Sequence, residues 1–252
     1  MHALSTGELL MVWEWGLARG LLERGLVLLA AACPNEPVEQ LLHLSIGERD
    51  ARLAGLRELT FGSRLDCQVK CPVCTQQLEL DIATDDLFAS SSLDAIAGDG
   101  SAEITHDQWR VRFRLVETRD LLAALDAGDT VAARRFLLRR CVVGSTPPRG
   151  AEVAGLPEDG LPTGVEATLF AEMERLDVAS NITLALNCPE CRHAWSAPFD
   201  ILSFFWREIE AWAVRTLRQV HWLASAYGWS EHEILALSAW RRDAYLQLAG
   251  HA

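Results

Sequence analysis

Lysine is almost missing from this sequence, and acidic side chains outnumber basic ones. Lys70 is the only lysine, and the chain carries 23 Lys and Arg against 35 Asp and Glu, which gives a formal net charge of −12. A phosphate backbone repels a surface with this balance. The composition therefore opposes a general nucleic-acid-binding role, and we do not expect a nucleic-acid partner.

Long apolar runs are also missing. The longest one, Gly25 to Ala32, is far shorter than the roughly 18–20 apolar residues that a transmembrane helix needs. The beginning of the chain carries Glu8 and Glu14 where a secretory signal would carry basic residues and a cleavage site. We therefore expect no membrane partner and a protein that is made and kept in the cytoplasm.

The sequence lacks the motifs of the common catalytic sites. It contains neither a phosphate-binding glycine loop nor a Gly-x-Ser-x-Gly elbow, and its seven His are scattered. His232-Glu233 begins like a zinc-protease helix, but the second His is missing. Asp85-Asp86 is better explained as a helix cap than as a catalytic pair. We expect that the protein is not an enzyme.

Two short cysteine motifs are the most informative feature that is present. Cys71-Pro-Val-Cys74 and Cys188-Pro-Glu-Cys191 have the same spacing, with Pro directly after the first Cys. A tight turn of this kind directs both sulfurs to one point, and two such turns supply the four thiolates of a structural tetrahedral site. The sequence therefore predicts that Cys71, Cys74, Cys188 and Cys191 together bind a structural Zn²⁺.

The segments around both motifs alternate between apolar and polar residues. Period-two alternation is typical of half-buried strands, so each Cys pair is expected at the turn of a β-hairpin, as in a zinc ribbon. The alternating apolar residues are Leu78, Leu80 and Ile82 after the first pair, and Ile182, Leu184, Leu186, Trp195, Ala197 and Phe199 around the second.

The distance between the motifs departs from a compact zinc ribbon. Roughly 15–20 residues separate the pairs in the compact pattern, whereas more than a hundred lie between Cys74 and Cys188. Closing the longer loop costs on the order of 1.5–2 kcal/mol more, because this cost grows only logarithmically. Structural zinc contributes roughly 10–16 kcal/mol in small peptides, so the metal outweighs the loop.

Three alternatives compete with zinc. A redox dithiol usually opens a helix, whose dipole lowers the thiol pKa, but strands are expected after both pairs. Disulfides are disfavoured in a reducing compartment. The third alternative is that the thiols only pack against one another. Of the other Cys residues, Cys33, Cys67 and Cys141 are interpreted as buried apolar residues, and Cys67 or His193 is a further candidate ligand.

Helix and strand signals predict a mostly helical α+β fold in which a zinc-ribbon-like pair of hairpins is interrupted by a long α/β insertion. Within the insertion, 84–101 is expected to be a loop or short helix, and the Pro- and Gly-rich stretch 143–162 a mobile loop. The predicted parts are N-terminal helices at 1–62, hairpin halves at 63–83 and 180–199, the insertion at 84–179 and C-terminal helices at 200–252.

Helix starts are indicated by capping boxes, in which a hydroxyl residue precedes a Glu by three positions. Ser5, Ser45, Thr163 and Ser230 all fit this pattern. The last of them predicts a final helix that runs from Glu231 to near Leu248.

Aromatic residues are concentrated near the end of the chain. The predicted helix at 200–226 has large apolar side chains on more than one face, so it is either buried all round or contacts another protein. Trp often anchors interfaces, so we select Trp206, Trp212, Trp222 and Trp229 as candidate partner-binding residues. Arginines at 134, 135, 139 and 140 form a solvated helix face, a contact surface for an acidic partner or a nucleic-acid patch.

Three segments, together with the Cys motifs and the Arg-rich strand at 109–115, resemble proteins that are encoded among contractile-tail genes. The segments are Arg119-Asp120-Leu121-Leu122, Leu137-Leu138-Arg139-Arg140-Cys141-Val142 and Tyr227-Gly228-Trp229-Ser230. The family is described as similar to the T-even phage baseplate hub assembly chaperone and occurs in phages and in phage-tail-like bacterial injection systems.

The resemblance implies a non-enzymatic role in which the protein assists baseplate assembly or is part of the baseplate, with other tail or baseplate proteins as partners. It transfers no catalytic residues to this chain. Two alternatives remain open from the residues themselves. One is a zinc-ribbon adaptor for nucleic acid or protein, and the other is a thiol oxidoreductase.

Overall fold

A computed structural model of the protein describes residues 1–88 and 100–250, so most of the predicted loop at 84–101 lies outside the described residues. The helices are α1 (Thr6–Gly16), α2 (Leu21–Ala32), α3 (Val38–Leu42), α4 (Ile46–Phe61), α5 (Thr84–Phe88), α6 (Thr118–Ala124), α7 (Thr130–Cys141), α8 (Thr163–Leu176), α9 (Ile201–Tyr227), α10 (Glu231–Leu235) and α11 (Ala239–Leu248), with a 3-10 turn at Val178–Ser180. The strands are β1 (Arg64–Lys70), β2 (Gln77–Ala83), β3 (Ser101–His106), β4 (Trp109–Arg114), β5 (Val142–Thr146), β6 (Val153–Ala154), β7 (Ile182–Asn187) and β8 (Ala194–Phe199). The predicted α+β class is confirmed.

The chain divides into two compact units. One consists of Met1–Asn35 and Ile201–Ala252, and the other of Glu36–Asp200. The helices predicted at 1–62 are therefore divided between the units, because α3 and α4 belong to the second. In the first unit, α1 and α2 pack on α9, so residues from both ends of the sequence share one core.

Three of the four predicted capping boxes are confirmed, at Ser5, Ser45 and Ser230. The box at Thr163 is wrong: Pro162 is the N-cap of α8, and Thr163 is already helical. The proline ring favours this arrangement, because its fixed φ suits a helix start and it has no N–H to satisfy. The predicted final helix is also interrupted, since α10 ends at Leu235 and α11 begins at Ala239.

Two separate hairpins carry the Cys motifs, as predicted. The antiparallel pairing of β1 with β2 runs from Arg64↔Ala83 to Lys70↔Gln77, and that of β7 with β8 from Ile182↔Phe199 to Asn187↔Ala194. Along these strands the large apolar side chains are half-buried, or fully buried at Leu65, and the polar ones are exposed, as the alternation predicts. Each Cys pair lies in the turn between the two strands of its hairpin.

The insertion is built on a four-stranded antiparallel sheet in the order β3-β4-β5-β6. The predicted mobile loop at 143–162 is wrong over its first part, because β5 pairs with β4 on one side and with β6 on the other. Val142 and Ser145 of β5 are buried and hold this strand in place. The Pro and Gly residues around them led to the prediction of a loop. A core of apolar residues from the sheet, α7 and α8 includes Val111, Phe113, Leu138, Val165 and Leu169.

The 27-residue α9 is the longest helix in the described part of the chain. Its buried residues concentrate in the first half, and its exposed ones in the second. Among the described residues, none of the helices combines the length and the apolarity that crossing a bilayer requires.

Candidate metal centre

The two Cys turns have the same backbone structure. In the first, the Cys71 N–H donates to the Gln76 carbonyl at 2.9 Å and the Thr75 N–H donates to the Cys71 carbonyl at 3.0 Å. In the second, the same positions repeat the pattern: Cys188 N–H to the His193 carbonyl and Arg192 N–H to the Cys188 carbonyl, both at 2.9 Å. The turns are therefore structural copies of each other.

Both turns contain a residue in the left-handed region directly after the second Cys. Thr75 and Arg192 each have φ of 61°. This conformation lets the chain curl around the sulfurs and return into the hairpin, and it costs a non-glycine residue roughly 1–2 kcal/mol. Sequence reasoning missed these positions. Superimposing Cys71–Gln76 on Cys188–His193 would have identified them as equivalent.

The four sulfurs meet at one point. Cys71 Sγ lies 3.6 Å from Cys191 Sγ, and Cys74 Sγ lies 3.5 Å from Cys188 Sγ. All four sulfur atoms lie within 4.8 Å of one another. A metal with bonds of about 2.3 Å to four tetrahedral thiolates holds the sulfurs roughly 3.8 Å apart. The observed spacing therefore fits such an ion, and it is too wide for disulfide bonds, which have an S–S distance of about 2 Å.

The first Cys of each motif is buried and the second is exposed. Cys71 and Cys188 each have 1% of their surface accessible, whereas Cys74 and Cys191 face solvent. The centre is thus closed on one side by protein. All four corners of the tetrahedron are sulfurs, so an ion held by them has no open position for a substrate or a water molecule.

The thiols of the cluster do not ionise with equal ease. Burial raises the pKa of Cys71, but backbone N–H groups of Cys74 and Val73 and the neighbouring sulfurs outweigh it and lower that pKa to about 6. The Gln76 N–H lowers the pKa of Cys74, yet burial and the other sulfurs raise it to about 12. The Cys71 thiolate therefore forms readily, whereas Cys74 and Cys191, whose pKa values are raised, resist ionisation next to it. A divalent cation removes this conflict.

Helix α4 supports both hairpins. It packs against α5, which directly follows β2, and against the 3-10 turn that precedes β7. At its N-terminus, Gly47 N–H donates to Asp177 Oδ2 at 3.0 Å and Ser45 Oγ donates to Asp177 Oδ1 at 3.1 Å. The Asp177 carboxylate thereby fixes the segment that leads into β7, and it also stabilises the positive end of the α4 dipole.

Gly47 is required for this contact. A Cβ atom at that position would lie 2.0 Å from Asp177 Oδ1 and 2.9 Å from its Cγ. The Cys motifs do not indicate that Gly47 or Asp177 supports the metal centre. No local signal identifies Asp177, since its partner is distant in the chain.

The additional candidate ligands lie outside the cluster. Among the described residues, the group of side chains that could hold a metal contains the four predicted Cys and neither Cys67 nor His193. The His193 ring instead stacks on Trp195 with centroids 6.0 Å apart. Cys33 and Cys141 are buried, as predicted, whereas Cys67 is only half-buried, and the seven Cys form no disulfide bonds.

The candidate partner-binding tryptophans differ in exposure. Trp206 is wrong as a contact residue because only 2% of its surface is accessible, with its ring against Gly16 and under the Arg24 guanidinium. Trp212 and Trp229 are half-buried, and Trp222 is 37% exposed. Sequence reasoning missed Trp240, which is 78% exposed and lies at the start of α11.

The α7 arginines divide between ion pairs and solvent. Arg140 donates through Nε to Asp120 Oδ1 at 2.6 Å, and Arg134 lies 3.6 Å from Glu166 and over the Phe170 ring. Arg135 and Arg139 are exposed. This distribution agrees with the solvated helix face and leaves no continuous basic patch on α7.

Comparison with known proteins found no family model that matches the chain, and neither a curated protein nor a solved structure that matches it. The function is therefore inferred from the residues of the chain itself.

Proposed function

We propose that the protein is a non-enzymatic assembly factor or accessory component of a contractile, phage-tail-like baseplate, stabilised by a structural Zn²⁺. The observation that carries the structural Zn²⁺ is the convergence of Cys71, Cys74, Cys188 and Cys191 on one point. Four thiolates select zinc among common divalent ions, because soft sulfur ligands and tetrahedral geometry suit it.

The role of the zinc follows from the positions of its ligands in the chain. When bound, the ion supplies a cross-link between the two hairpins and neutralises charge on the sulfurs. The hairpins flank the insertion on both sides, so the cross-link fixes the ends of the inserted sheet and helices. Such an ion stabilises a shape, and this agrees with a protein that acts by contacting other proteins.

The thiol chemistry favours this role over a redox one. A redox thiol must be both ionised and accessible. Here the lowered pKa belongs to Cys71, which is buried, whereas the accessible Cys74 and Cys191 have raised pKa values. The two requirements fall on different residues, which weakens the thiol oxidoreductase alternative.

The charge of the chain disfavours the nucleic-acid adaptor. A net charge of −12 opposes the approach of a phosphate backbone, and on α7 the arginines are partly neutralised by Asp120 and Glu166. Exposed tryptophans at 222 and 240 instead favour a protein partner. The baseplate as the assembly in question comes from the resemblance of the sequence segments.

Co-purification tests the proposal. The chain is co-expressed, with an affinity tag, together with the sheath, tube, spike and baseplate proteins of the same contractile system, and recovered proteins are identified by mass spectrometry. We expect a baseplate or hub protein in stoichiometric amounts. Recovery of nucleic acid alone, or of none of the tail proteins, contradicts the proposal. The Cys71→Ser/Cys191→Ser variant serves as a control for the need of an intact metal centre.

A further inference from the structure

The C-terminal half of α9 and α11 enclose an open groove with a volume of about 410 Å³. We call it the α9–α11 groove. This volume lies within the range of roughly 300–1,000 Å³ that is usual for ligand sites, so it suits a few side chains of a bound segment. The groove is lined by Arg215, Arg218, Gln219, Trp222, Asp243 and Leu246.

The α9 side of the groove is basic in an otherwise acidic chain. Residues 211–227 contain two arginines and His221 but no Asp or Glu. Arg215, Arg218 and Trp222 are spaced by three and four residues, so they lie on one face of the helix. Both arginines are exposed, and within the described part of the chain neither has a carboxylate at ion-pair distance.

A third cation, Arg242, contacts a residue that lines the groove. Arg242 has only 3% of its surface accessible, and its Nε donates to Gln219 Oε1 at 3.3 Å and its Nη1 to the Leu237 carbonyl at 2.7 Å. Both acceptors are neutral. The guanidinium is thus hydrogen-bonded only to neutral groups, although the charge of the Asp243 carboxylate also acts on it.

The one carboxylate of the groove is already engaged. Asp243 accepts a hydrogen bond from Gln219 Nε2 at 2.9 Å. Two exposed guanidinium groups, those of Arg215 and Arg218, therefore share the groove with one carboxylate, whose charge also acts on the buried Arg242. A bound anion would balance the excess of positive charge. The helix dipole does not explain the arginines, since its effect is confined to the last turn, where α9 has no basic residue.

We infer that the α9–α11 groove binds an acidic segment of a protein partner, with carboxylates on Arg215 and Arg218 and an apolar side chain against Trp222. The inference rests on the proposed function, because it specifies the chemistry of the protein partner that this function requires. Arg donates in a planar fork that matches a carboxylate, and the Trp222 ring and Leu246 supply the apolar surface beside it. Gln247 also lines the groove, and its side-chain amide can contact the backbone of the bound segment.

A protein segment fits better than a nucleic acid. A phosphate backbone is long and uniformly charged, so its approach is opposed by the net charge of −12 that the chain carries. Asp243 inside the groove repels phosphates as well. A peptide can place two carboxylates at the arginines and neutral or apolar residues elsewhere.

Fluorescence anisotropy with a defined probe tests the inference. The probe is a short fluorescein-labelled peptide that alternates Glu pairs with Leu, titrated with the purified, zinc-loaded full chain. A second peptide has Gln in place of every Glu, and labelled single-stranded and duplex oligonucleotides test the nucleic-acid outcome. We expect the Glu peptide to bind, the Gln peptide to bind much more weakly, and added salt to weaken the binding.

Charge reversal locates the binding. Arg215→Glu/Arg218→Glu is expected to lower the affinity for the Glu peptide by about tenfold for each arginine, because each replaces a charge-assisted hydrogen bond. The matched control is Arg207→Glu/Arg241→Glu, which makes the same change of charge at exposed positions of α9 and α11 outside the groove. Circular dichroism confirms that both variants fold.

The inference is overturned if both double variants lose the same affinity, if the Gln peptide binds as well as the Glu peptide, or if an oligonucleotide binds more tightly than either. The assay contains no baseplate protein, so its failure is distinct from a failure of the proposed function. The latter would show as a wild-type chain that recovers no tail protein, whatever peptide it binds.

Discussion

Cys71 Sγ and Cys191 Sγ lie 3.6 Å apart although 120 positions separate the two residues in the chain. Cys71 is the first thiol of its motif and Cys191 the second, and Cys74 pairs with Cys188 in the same crossed manner. This arrangement arises because the two equivalent turns face each other, so that the first Cys of each turn lies next to the second Cys of the other. The symmetry extends to their hydrogen bonds and to the left-handed residue that ends each turn.

Removal of one thiolate is expected to abolish tight metal binding. Cys191→Ser leaves three sulfurs and a hydroxyl that is a poor ligand, so the chain should lose its zinc and unfold at a lower temperature. The loss of stability should reach several kcal/mol, since binding of the ion contributes to folding. Atomic emission spectroscopy measures the bound metal, and thermal unfolding with and without a chelator measures its effect.

Cys67→Ser is the control for that experiment, because Cys67 lies on the first hairpin but outside the sulfur cluster. It should retain its zinc and respond to the chelator as the wild type does. A wild-type chain that binds no zinc, or a Cys191→Ser chain that binds as much as the wild type, would contradict the assignment of the ligands.

Glycine is expected to be favourable at the left-handed positions of the Cys turns. Thr75→Gly should stabilise the protein by up to about 1 kcal/mol, because relief of the left-handed strain exceeds the extra entropy of glycine in the unfolded chain. Arg192→Gly should act in the same direction but more weakly, since Thr is β-branched and Arg is not. Urea denaturation of the zinc-loaded chain measures both.

The matched control is Gln76→Gly, one position later, where the backbone is not left-handed. It should destabilise the protein by roughly 0.5–1 kcal/mol. If Thr75→Gly and Gln76→Gly have the same effect, then the left-handed conformation of Thr75 does not carry the strain described for it.

The centre could be predicted from the sequence because its signals are local. Spacing within each Cys motif and alternation in the flanking strands depend on neighbouring residues, and both were confirmed. The support of the centre could not be predicted in this way. Gly47 and Asp177 meet across 130 positions, and neither residue type indicates a distant partner.

Two helix starts show the limit of the local signal. Ser5-Thr6-Gly7-Glu8 and Ser45-Ile46-Gly47-Glu48 have the same pattern, and both form capping boxes. Only the structure distinguishes the environments of their glycines, since Gly7 has open space around it and Gly47 faces Asp177. Exposure of single aromatic residues is equally non-local, which is why Trp206 was selected as a contact and Trp240 was missed.

These two glycines provide a direct test of how α4 supports the hairpins. Gly47→Ala should displace the Asp177 carboxylate, break its hydrogen bonds to Gly47 and Ser45, and cost roughly 1–3 kcal/mol. Gly7→Ala, at the equivalent position of α1, should instead stabilise by up to about 1 kcal/mol, because alanine favours a helix. Denaturant midpoints of the two variants measure the difference.

Gly47→Ala should also weaken zinc binding, because the approach to β7 is less firmly held. A competition assay with a chromophoric chelator gives this affinity. Equal effects of the two alanines on stability, or an unchanged zinc affinity in Gly47→Ala, would show that the Asp177 contact does not support the metal centre.

Asp120 is expected to give the protein a specific sensitivity to acid. The side chain is fully buried and accepts hydrogen bonds from Arg114 at 2.5 and 3.0 Å, from Arg140 at 2.6 Å and from the Glu117 N–H at 3.0 Å. Burial alone raises the pKa of Asp120, but these bonds outweigh it and lower the pKa to about 2.

A carboxyl group with a lowered pKa in the folded protein stabilises the fold above its unfolded pKa, near 3.8, and this contribution is lost as the pH falls towards 2. The lowering corresponds to roughly 2–3 kcal/mol. Asp120→Asn should therefore be less stable than the wild type by about 3–5 kcal/mol at pH 7, since it leaves two guanidinium groups without their carboxylate. The difference should narrow below pH 4, where the wild type loses the same interaction.

Glu172→Gln, which breaks a more exposed pair with Arg175, should cost no more than about 1 kcal/mol and provides the comparison. Urea denaturation of all three proteins from pH 7 to pH 3 measures this, and parallel stability curves for the wild type and Asp120→Asn would refute the assignment.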